Sequence, residues 1–288
     1  MKAQKMVIGI WLFLLGNSFF AHSQDRDQLT IPLSNPGKEG KLEVSIITGS
    51  IKVIGYAGKE IMIEAVEMNK NEEKNSTMHT KTNSNTKNGS RNTEGMRKIS
   101  SNDGFEITAK EKGNVVDVSI DRVNIGVNMT IKVPQKFSLK LSTINNGNIS
   151  VENVTGNLEI SNINGFIKLK NVGGSVLANT LNEDIIVNFT EVTPDTPMAF
   201  TTLNGNVDVT FPANFKSNVK VKTDRGDIFS DFDIEIDKTT SKIQSISEKE
   251  KGLYKIKKDD WTSGKINGGG SETRIKTMNG DIFIRKIK

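Results

Sequence analysis

The sequence contains no cysteine and only two histidines, and these shortages narrow its chemistry. Without cysteine there can be no disulfide, no thiolate nucleophile, no thiolate metal site and no lipid-bearing cysteine. The histidines are His22, near the N-terminus, and His79, in a polar segment. Almost no histidine is therefore available for a serine–histidine–aspartate triad or a histidine metal centre. We expect no catalytic residue, no metal and no cofactor.

Apolar and aromatic residues are also scarce, at 35% and 6% of the 288 residues. The apolar fraction is low for a compact globular domain. It suits a coiled architecture, in which each coil buries only a thin interior stripe. The formal net charge of +5 is spread along the chain without a dense lysine or arginine cluster. Nucleic-acid binding is therefore not expected.

Residues 1–23 are predicted to be a secretory signal peptide. Lys2 and Lys5 precede an apolar run from Val7 to Leu15, and Ala21-His22-Ser23 is a small-x-small cleavage site. The alternative is an uncleaved membrane anchor, for which the apolar run is short. We expect a mature chain that begins at Gln24, does not span the membrane and is exported to the periplasm or the cell surface.

A glycine recurs every nine residues in the middle of the chain. Apolar residues follow each glycine at the second and fourth positions, and Glu183 occupies the fifth slot. This beat predicts an all-β, single-chain parallel β-solenoid, similar to a right-handed β-helix, with short strands and glycine or asparagine corners. Two nine-residue segments would make one eighteen-residue coil. The predicted corner glycines are Gly147, Gly156, Gly165, Gly174, Gly205, Gly226 and Gly280.

Several details of the repeat lead to further expectations. Asn-Gly dipeptides are also hairpin signals, so a meander is the competing architecture, but the constant period favours a coil. Asn153, Asn162 and Asn171 precede successive glycines by three residues and are predicted to stack as a side-chain ladder. The spacing widens to 21 residues between Gly205 and Gly226, which predicts longer, three-sided coils there.

The remaining sequence suggests one domain over residues 24–288. Residues 68–100 are almost wholly polar, without periodicity, and are predicted to be a mobile insertion. Residues 261–288 resume the beat and are predicted to form the final coil or cap. Trp261 and the strands around residues 29–47 are the cap candidates.

Three groups of side chains are candidates for binding or catalysis. One alternating run of carboxylates could gather calcium, but a solvated outer face that discourages edge pairing is the favoured interpretation. A second set of aspartates could serve a β-helical polysaccharide lyase or hydrolase, although turn chemistry also explains their positions. Outward lysines could offer a cationic strip to acidic polymers, but ordinary solubilising lysines are the favoured interpretation. The three sets are Asp231, Asp233, Glu235 and Asp237; Asp184, Asp208, Asp224 and Asp227; and Lys132, Lys140, Lys168, Lys170, Lys220 and Lys222.

The C-terminal motif resembles that of a bacterial envelope family. Residues 261–270 read WTSGKINGGG and residues 277–285 read TMNGDIFIR. They are similar to the C-terminal signature of an exported putative-adhesin β-solenoid family of unknown function, akin to the adhesin-head GIN group. The resemblance covers most of residues 40–288 and implies an all-β solenoid in an exported protein. It brings no catalytic residues.

These observations favour a non-catalytic, exported, adhesin-like surface scaffold or binding module. Glycans, cell-wall polymers and envelope proteins are the candidate partners. A carbohydrate-active enzyme on a β-helix is the alternative, and an envelope-stress accessory protein is a further one. Arg225-Gly226-Asp227 is an integrin-type tripeptide, but it occupies a repeated turn slot and is interpreted as a turn.

Overall fold

A computed structural model gives the fold and describes residues 27–68, 104–121, 125–237, 243–248, 253–258 and 261–288. The signal peptide predicted at residues 1–23 and all but the first residue of the insertion predicted at 68–100 lie outside the described residues. The described residues form strands joined by turns and loops. None of them belongs to a helix long and apolar enough to cross a membrane.

The strands wrap into flattened coils, and each coil contributes one strand to each of two faces. The strands of face one are β6 (Val115–Ile120), β2 (Gly40–Thr48), β8 (Phe137–Asn145), β10 (Thr155–Asn162), the second half of β11 (Ile167–Asn179), β13 (Met198–Thr201), β21 (Glu272–Asn279) and β15 (Ser217–Arg225). Neighbours in this order pair in parallel.

Face two is built in the same way from the strand that follows in each coil. Its strands are β7 (Val127–Pro134), β3 (Ile51–Tyr56), β9 (Ile149–Glu152), the first half of β11, β12 (Ile185–Val192), β14 (Val207–Phe211), β22 (Ile282–Lys286) and β16 (Ile228–Ser230). These strands also pair in parallel in this order. The parallel solenoid predicted from the repeat is confirmed, and the meander is wrong.

The register confirms the predicted eighteen-residue coil. Ile149 pairs with Ile167 and Ile167 with Ile185 on face two, while Leu158 pairs with Val176 on face one. The nine-residue beat is thus half a coil, and alternate glycines fall at opposite corners. The side chains predicted to point inward at these positions are at most 2% exposed.

The order of the coils departs from chain order at both ends of the solenoid. The coil of β2 and β3 lies between the coil of β6 and β7 and that of β8 and β9. The C-terminal coil of β21 and β22 lies between the coil of β13 and β14 and that of β15 and β16. The first and last coils of the chain are therefore each held between two other coils.

The wide spacing between Gly205 and Gly226 comes from the connection that leads from face two back to face one. Residues 212–216 join β14 to β15, whereas only residues 153–154 join β9 to β10. The coil is therefore longer, as expected, but the three-sided shape is wrong, since the chain places one strand on each of the same two faces. The coils of Gly205 and Gly226 are also not neighbours, because the coil that carries Gly280 lies between them.

Antiparallel strands cover the ends of the solenoid. β4 (Glu60–Glu67) pairs with β7 and β1 (Asp27–Pro32) with β4. β5 (Ile107–Lys112) pairs with β6. At the other end β20 (Thr262–Ile266) pairs with β15, and β17 (Ile234–Ile236) with β20. A separate hairpin comprises β18 (Ile243–Glu248) and β19 (Leu253–Lys258).

The interior is one continuous cluster of buried side chains. Branched aliphatics line most coils, and phenylalanines fill the C-terminal part. Phe211 stacks on Phe189 at 5.2 Å and on Phe215 at 4.0 Å between ring centroids. Because each fully buried aliphatic or aromatic side chain stabilises by about 1.5–3 kcal/mol, stability accumulates coil by coil.

Ile167→Asp tests the assignment of inward positions. Ile167 is fully buried at the middle of the stack, so an unpaired carboxylate there should lower the free energy of unfolding by more than about 3 kcal/mol. The matched control is Lys168→Asp, at the exposed neighbouring position, which should change it by less than about 0.5 kcal/mol. Urea denaturation measures both, and equal midpoints would contradict the inward assignment.

Candidate binding surfaces

The first corner, between face one and face two, is built on a column of glycines. A Cβ added to Gly147 would overlap the carbonyl oxygen of Gly49, and one on Gly165 would overlap that of Gly147. The same holds for Gly205 on Glu183, Gly280 on Gly205 and Gly226 on Gly280. The backbones of successive coils thus approach too closely for a side chain. The second corner is the one at which the chain passes from face two to face one of the next coil. The two other predicted corner glycines, Gly156 and Gly174, lie beside it and approach neighbouring backbone in the same way.

A row of hydroxyl and amide donors satisfies the carbonyl groups of that column. The Thr180 hydroxyl donates to the Gly165 carbonyl at 3.0 Å, and the Thr277 hydroxyl donates to that of Gly205 at 2.8 Å. Equivalent bonds come from Thr143, Asn162, Thr202 and Thr223. Because an unpaired buried carbonyl group is costly, this row of hydrogen bonds fixes the position of each corner relative to the corner of the adjacent coil.

An asparagine ladder runs along the outside of the same corner. Asn182 donates its side-chain amide to Asn164 at 2.8 Å, Asn204 to Asn182 at 2.8 Å and Asn279 to Asn204 at 2.7 Å. Asn164 continues the ladder to Asn145 at 3.3 Å. Each amide between the two ends of the ladder donates to one neighbour and accepts from the other, so these side chains are fixed in one orientation.

The predicted asparagine ladder exists only in part. Asn171 donates to Asn153 at 3.2 Å across the second corner, as expected. Asn162 does not join them, because it lies at the opposite corner, where it is buried and donates to Gly147. The longer ladder was not predicted, although the Asn-Gly dipeptides at residues 164, 204 and 279 were the signal for it.

In five coils an aliphatic residue that points to solvent lies between the buried donor and the ladder asparagine, and Ile47 takes the equivalent position in the coil of β2. These side chains are between 37% and 44% exposed, whereas their inward neighbours are almost fully buried. Backbone bonds from each ladder asparagine to the aliphatic residue of the previous coil place them on consecutive coils. We call this row the aliphatic stripe: Ile47, Ile144, Ile163, Leu181, Leu203 and Met278.

The stripe ends at a charged coil. In the outermost coil the register places Asp224 beside Met278 and pairs Arg225 with Asn279. The Arg225 guanidinium donates to the last ladder asparagine at 3.5 Å. The integrin-type tripeptide at residues 225–227 is thus part of a corner: Gly226 has a positive φ of 153°, and the Asp227 N–H donates to Asp281 at 2.9 Å.

A second surface, the aromatic platform, lies at the C-terminal end of face two. The rings of Phe229 and Phe283 stack at 5.2 Å between centroids with an interplanar angle of 11°. The Arg285 guanidinium lies 5.0 Å from the centroid of Phe283 and donates to both carboxylate oxygens of Asp208, at 2.8 and 2.9 Å. These hydrogen bonds raise the pKa of Arg285. Phe229 is 49% exposed.

The four carboxylates considered as calcium ligands do not form a metal-binding cluster. β17 spans only residues 234–236, so the strand does not carry all four on one face. Asp231 accepts from the Lys286 N–H at 3.3 Å, and Glu235 pairs across the sheet with Lys265. Across the described residues no group of three or more histidine, aspartate or glutamate side chains is arranged to hold a metal ion.

The aspartates considered for glycoside chemistry have separate local roles. Asp184 accepts from the Asn206 N–H at 2.7 Å, as a corner residue. Asp208 is held by Arg285, and Asp224 pairs with Lys222 at 3.3 Å. A surface cleft of about 460 Å³ between the loops at 190–196 and 212–216 is lined by none of the four aspartates.

The outward lysines are divided between the two faces and do not form one strip. Lys140, Lys220 and Lys222 lie on face one, and the other three lie on face two. Several pair with acidic neighbours: Lys140 with Glu159 at 3.5 Å, and Lys170 with Glu152 at 3.2 Å. The local charge at these positions is therefore largely balanced.

This arrangement defines a single-chain parallel β-solenoid whose outward features repeat once per coil. Residues 153–285 match the family model described as Toastrack DUF4097. The matched region contains most of the asparagine ladder and of the aliphatic stripe. No curated protein in the comparison matches the chain.

Two solved structures are similar to the chain. One is a putative cell adhesion protein from Clostridium sporogenes, with 14% identity and a TM-score of 0.42, covering 91% of this chain and 100% of that one. The other is a putative adhesin from Bacteroides fragilis, with 12% identity and a TM-score of 0.34, covering 92% of this chain and 98% of that one. The match over residues 153–285 confirms the predicted resemblance to a domain family of unknown function.

Glu183→Gly should stabilise the protein. Glu183 occupies a glycine slot of the column with a positive φ of 92°, a conformation that glycine adopts without strain. Removing that strain should outweigh the added freedom of the unfolded chain, raising the free energy of unfolding by about 0.5–1 kcal/mol. Glu191→Gly, at an exposed strand position of β12, is the control and should destabilise. A lower melting temperature for Glu183→Gly would contradict the role of the column.

Glu111→Gln tests an acid-sensitive contact at the N-terminal end. The Glu111 carboxylate accepts from the Ser34 N–H at 3.0 Å, the Asn114 N–H at 2.8 Å and the Ser34 hydroxyl at 2.8 Å. These bonds lower its pKa below the ordinary 4.5. Their contribution is therefore complete above pH 4.5 and is lost as the pH falls through the lower folded-state pKa.

The variant should show a flatter fall in urea midpoint between about pH 5 and pH 3 than the parent protein. Glu191→Gln, which removes an exposed carboxylate elsewhere, is the control and should leave the slope unchanged. Identical slopes for all three proteins would show that the Glu111 contact does not contribute to the acid sensitivity of the fold.

Proposed function

We propose that the protein is an exported, non-catalytic, adhesin-like scaffold that binds a partner protein along the aliphatic stripe. The observation that most directly supports this proposal is the uninterrupted row of six exposed aliphatic side chains on consecutive coils. At the strand spacing of a β-sheet the row is about 24 Å long. Contiguous exposed apolar surface of this kind is typical of sites of protein–protein contact.

The corner that supports the stripe favours binding without rearrangement. The ladder asparagines and the buried threonines fix the backbone on both sides of each aliphatic residue. Little backbone freedom would be lost on binding, and that loss is one of the main costs of association. A linear, preorganised apolar edge also allows many individually weak contacts to add together.

The chemistry of the stripe favours a protein over a glycan. Aliphatic side chains offer no hydrogen bonds to a polyhydroxylated chain, and burying sugar hydroxyls against them would leave those groups unpaired. A protein that presents an apolar ridge or strand would lose only apolar contact with water. The neighbouring asparagine ladder can add polar contacts at the rim, as at other protein interfaces.

Export and the absence of catalysis are part of the same proposal. Export is supported by the leader predicted at residues 1–23. Three of the four aspartates considered for a carbohydrate-active enzyme, Asp184, Asp208 and Asp224, are engaged in corner and ion-pair contacts. No specific observation favours that alternative function.

A cell-binding assay tests the proposal. Fluorescently labelled protein lacking residues 1–23 should be retained by untreated whole bacterial cells. It should not be retained by cells that were treated with protease before the protein was added. Leu181→Asn/Leu203→Asn should lower retention about tenfold or more, because it breaks the centre of the stripe. Both side chains are exposed, so the melting temperature should change little.

Leu177→Asn is the matched control, since Leu177 is 47% exposed on face one, away from the stripe. It should bind as the parent protein does. Equal retention by the stripe variant and the control would overturn the proposal. Undiminished binding to protease-treated cells or to purified cell-wall polymer would point to a glycan partner, and release of soluble sugar fragments would point to an enzyme.

A further inference from the structure

β16 is the outermost strand of face two at the C-terminal end. It pairs with β22 on one side only. The other three ends of the two faces each carry an antiparallel strand: β4 on β7, β5 on β6, and β20 on β15. Among the described strands, none pairs with the outer edge of β16.

The hydrogen bonds to β22 show which backbone groups of β16 face outward. The Ile282 N–H donates to the Asp227 carbonyl at 2.9 Å, and the Asp231 N–H donates to the Ile284 carbonyl at 2.9 Å. Alternate residues of a parallel strand form their backbone hydrogen bonds to the same side, so the N–H and C=O groups of Phe229 also face β22. The N–H and C=O groups of Ile228 and Ser230 therefore point away from the sheet, at the spacing that an added strand would match.

The outer face of this edge combines an aromatic ring with negative charge. Asp227, Phe229 and Asp231 follow one another at the two-residue spacing of one strand face. All three are exposed, and Phe229 extends the stack that begins at Phe283. Segment 224–237 contains six acidic residues and one basic residue, Arg225, so the segment that forms this edge is strongly acidic.

This charge pattern argues against a second copy of the chain as the occupant. If two β16 edges paired antiparallel about Phe229, Asp227 of each would face Asp231 of the other. If they paired in parallel, each aspartate would face its own equivalent. Like charges directly opposite each other destabilise a strand pair, so the edge favours a strand of opposite charge.

We propose that the outer edge of β16 is a strand-addition site for an extended peptide segment that carries an aromatic or aliphatic residue opposite Phe229 and basic residues two positions to either side. The added strand would bond to the free backbone groups of Ile228 and Ser230. Its central side chain would continue the Phe283–Phe229 stack, and its basic residues would lie opposite Asp227 and Asp231. Main-chain bonds supply affinity in such complexes and alternate side chains supply specificity.

Synthetic peptides test the site directly. The probe is a blocked peptide with Lys-Val-Phe-Val-Lys at its centre, and its partner peptide replaces both lysines by glutamate. The protein should bind the lysine peptide about tenfold more tightly than the glutamate peptide by fluorescence anisotropy. Asp227→Lys/Asp231→Lys should reverse that preference, whereas Asp117→Lys/Glu191→Lys, which alters two exposed acids elsewhere, should preserve it.

Amide hydrogen exchange separates strand addition from simple charge attraction. Saturating lysine peptide should slow exchange of the Ile228 and Ser230 amides, and Phe229→Ser should weaken binding about tenfold. Equal affinity for the two peptides, absence of binding at millimolar peptide, or unchanged exchange at Ile228 and Ser230 would overturn the proposal. Self-association of the protein through this edge in sedimentation experiments would instead identify a second copy as the occupant.

Discussion

The close approach of backbone to backbone at the first corner is the constraint on which the rest of the structure depends. Glycine at this corner lets each coil lie directly on the previous one, and a buried threonine or asparagine side chain then reaches the carbonyl group beneath it. Both faces take their register from that contact. Once the corners stack, the inward aliphatics form one dry interior and the outward residues repeat once per coil. A side chain at the corner is tolerated only with strain, as at Glu183.

Because the coils are interleaved at both ends of the solenoid, the first and last coils of the chain are each held between two neighbours, unlike those of a simple stack. In a simple stack the first and last coils have one neighbour each and can separate locally. Here the coil nearest each chain end has a coil on both sides, so its release requires an outer coil to leave first. The antiparallel strands beyond them cover three of the four sheet ends. Among the described strands none covers the fourth, at β16, and we propose that a further strand adds there.

The two surfaces proposed for binding have a common origin in this periodicity. A residue that repeats on each coil becomes a row, so one exposed aliphatic position becomes the aliphatic stripe and one asparagine position becomes the ladder beside it. Such rows suit an extended partner better than a small molecule. A small molecule is usually bound in a deep cavity with convergent polar groups, whereas an extended partner can lie along a row. At the end of the solenoid the same sheet offers its backbone, and the surrounding aspartates set the charge of what can pair with it. A scaffold with these properties can bind through area, without catalytic groups.

The sequence by itself determined the local unit: the nine-residue beat, the inward positions such as Ile167 and Leu158, and the eighteen-residue coil. These follow from side-chain alternation and glycine stereochemistry, which act between residues close in the chain. It did not determine which coils are neighbours, because pairs such as Gly205 and Gly280 are far apart in sequence and every coil has a nearly equivalent corner. For the same reason it placed Asn162 in the wrong ladder and left the aliphatic stripe unrecognised, since an exposed leucine in a turn has no meaning until it is aligned with others. Only the tertiary structure decided those alignments, because stacking of coils is a contact between distant segments and depends on the order in which the chain lays them down.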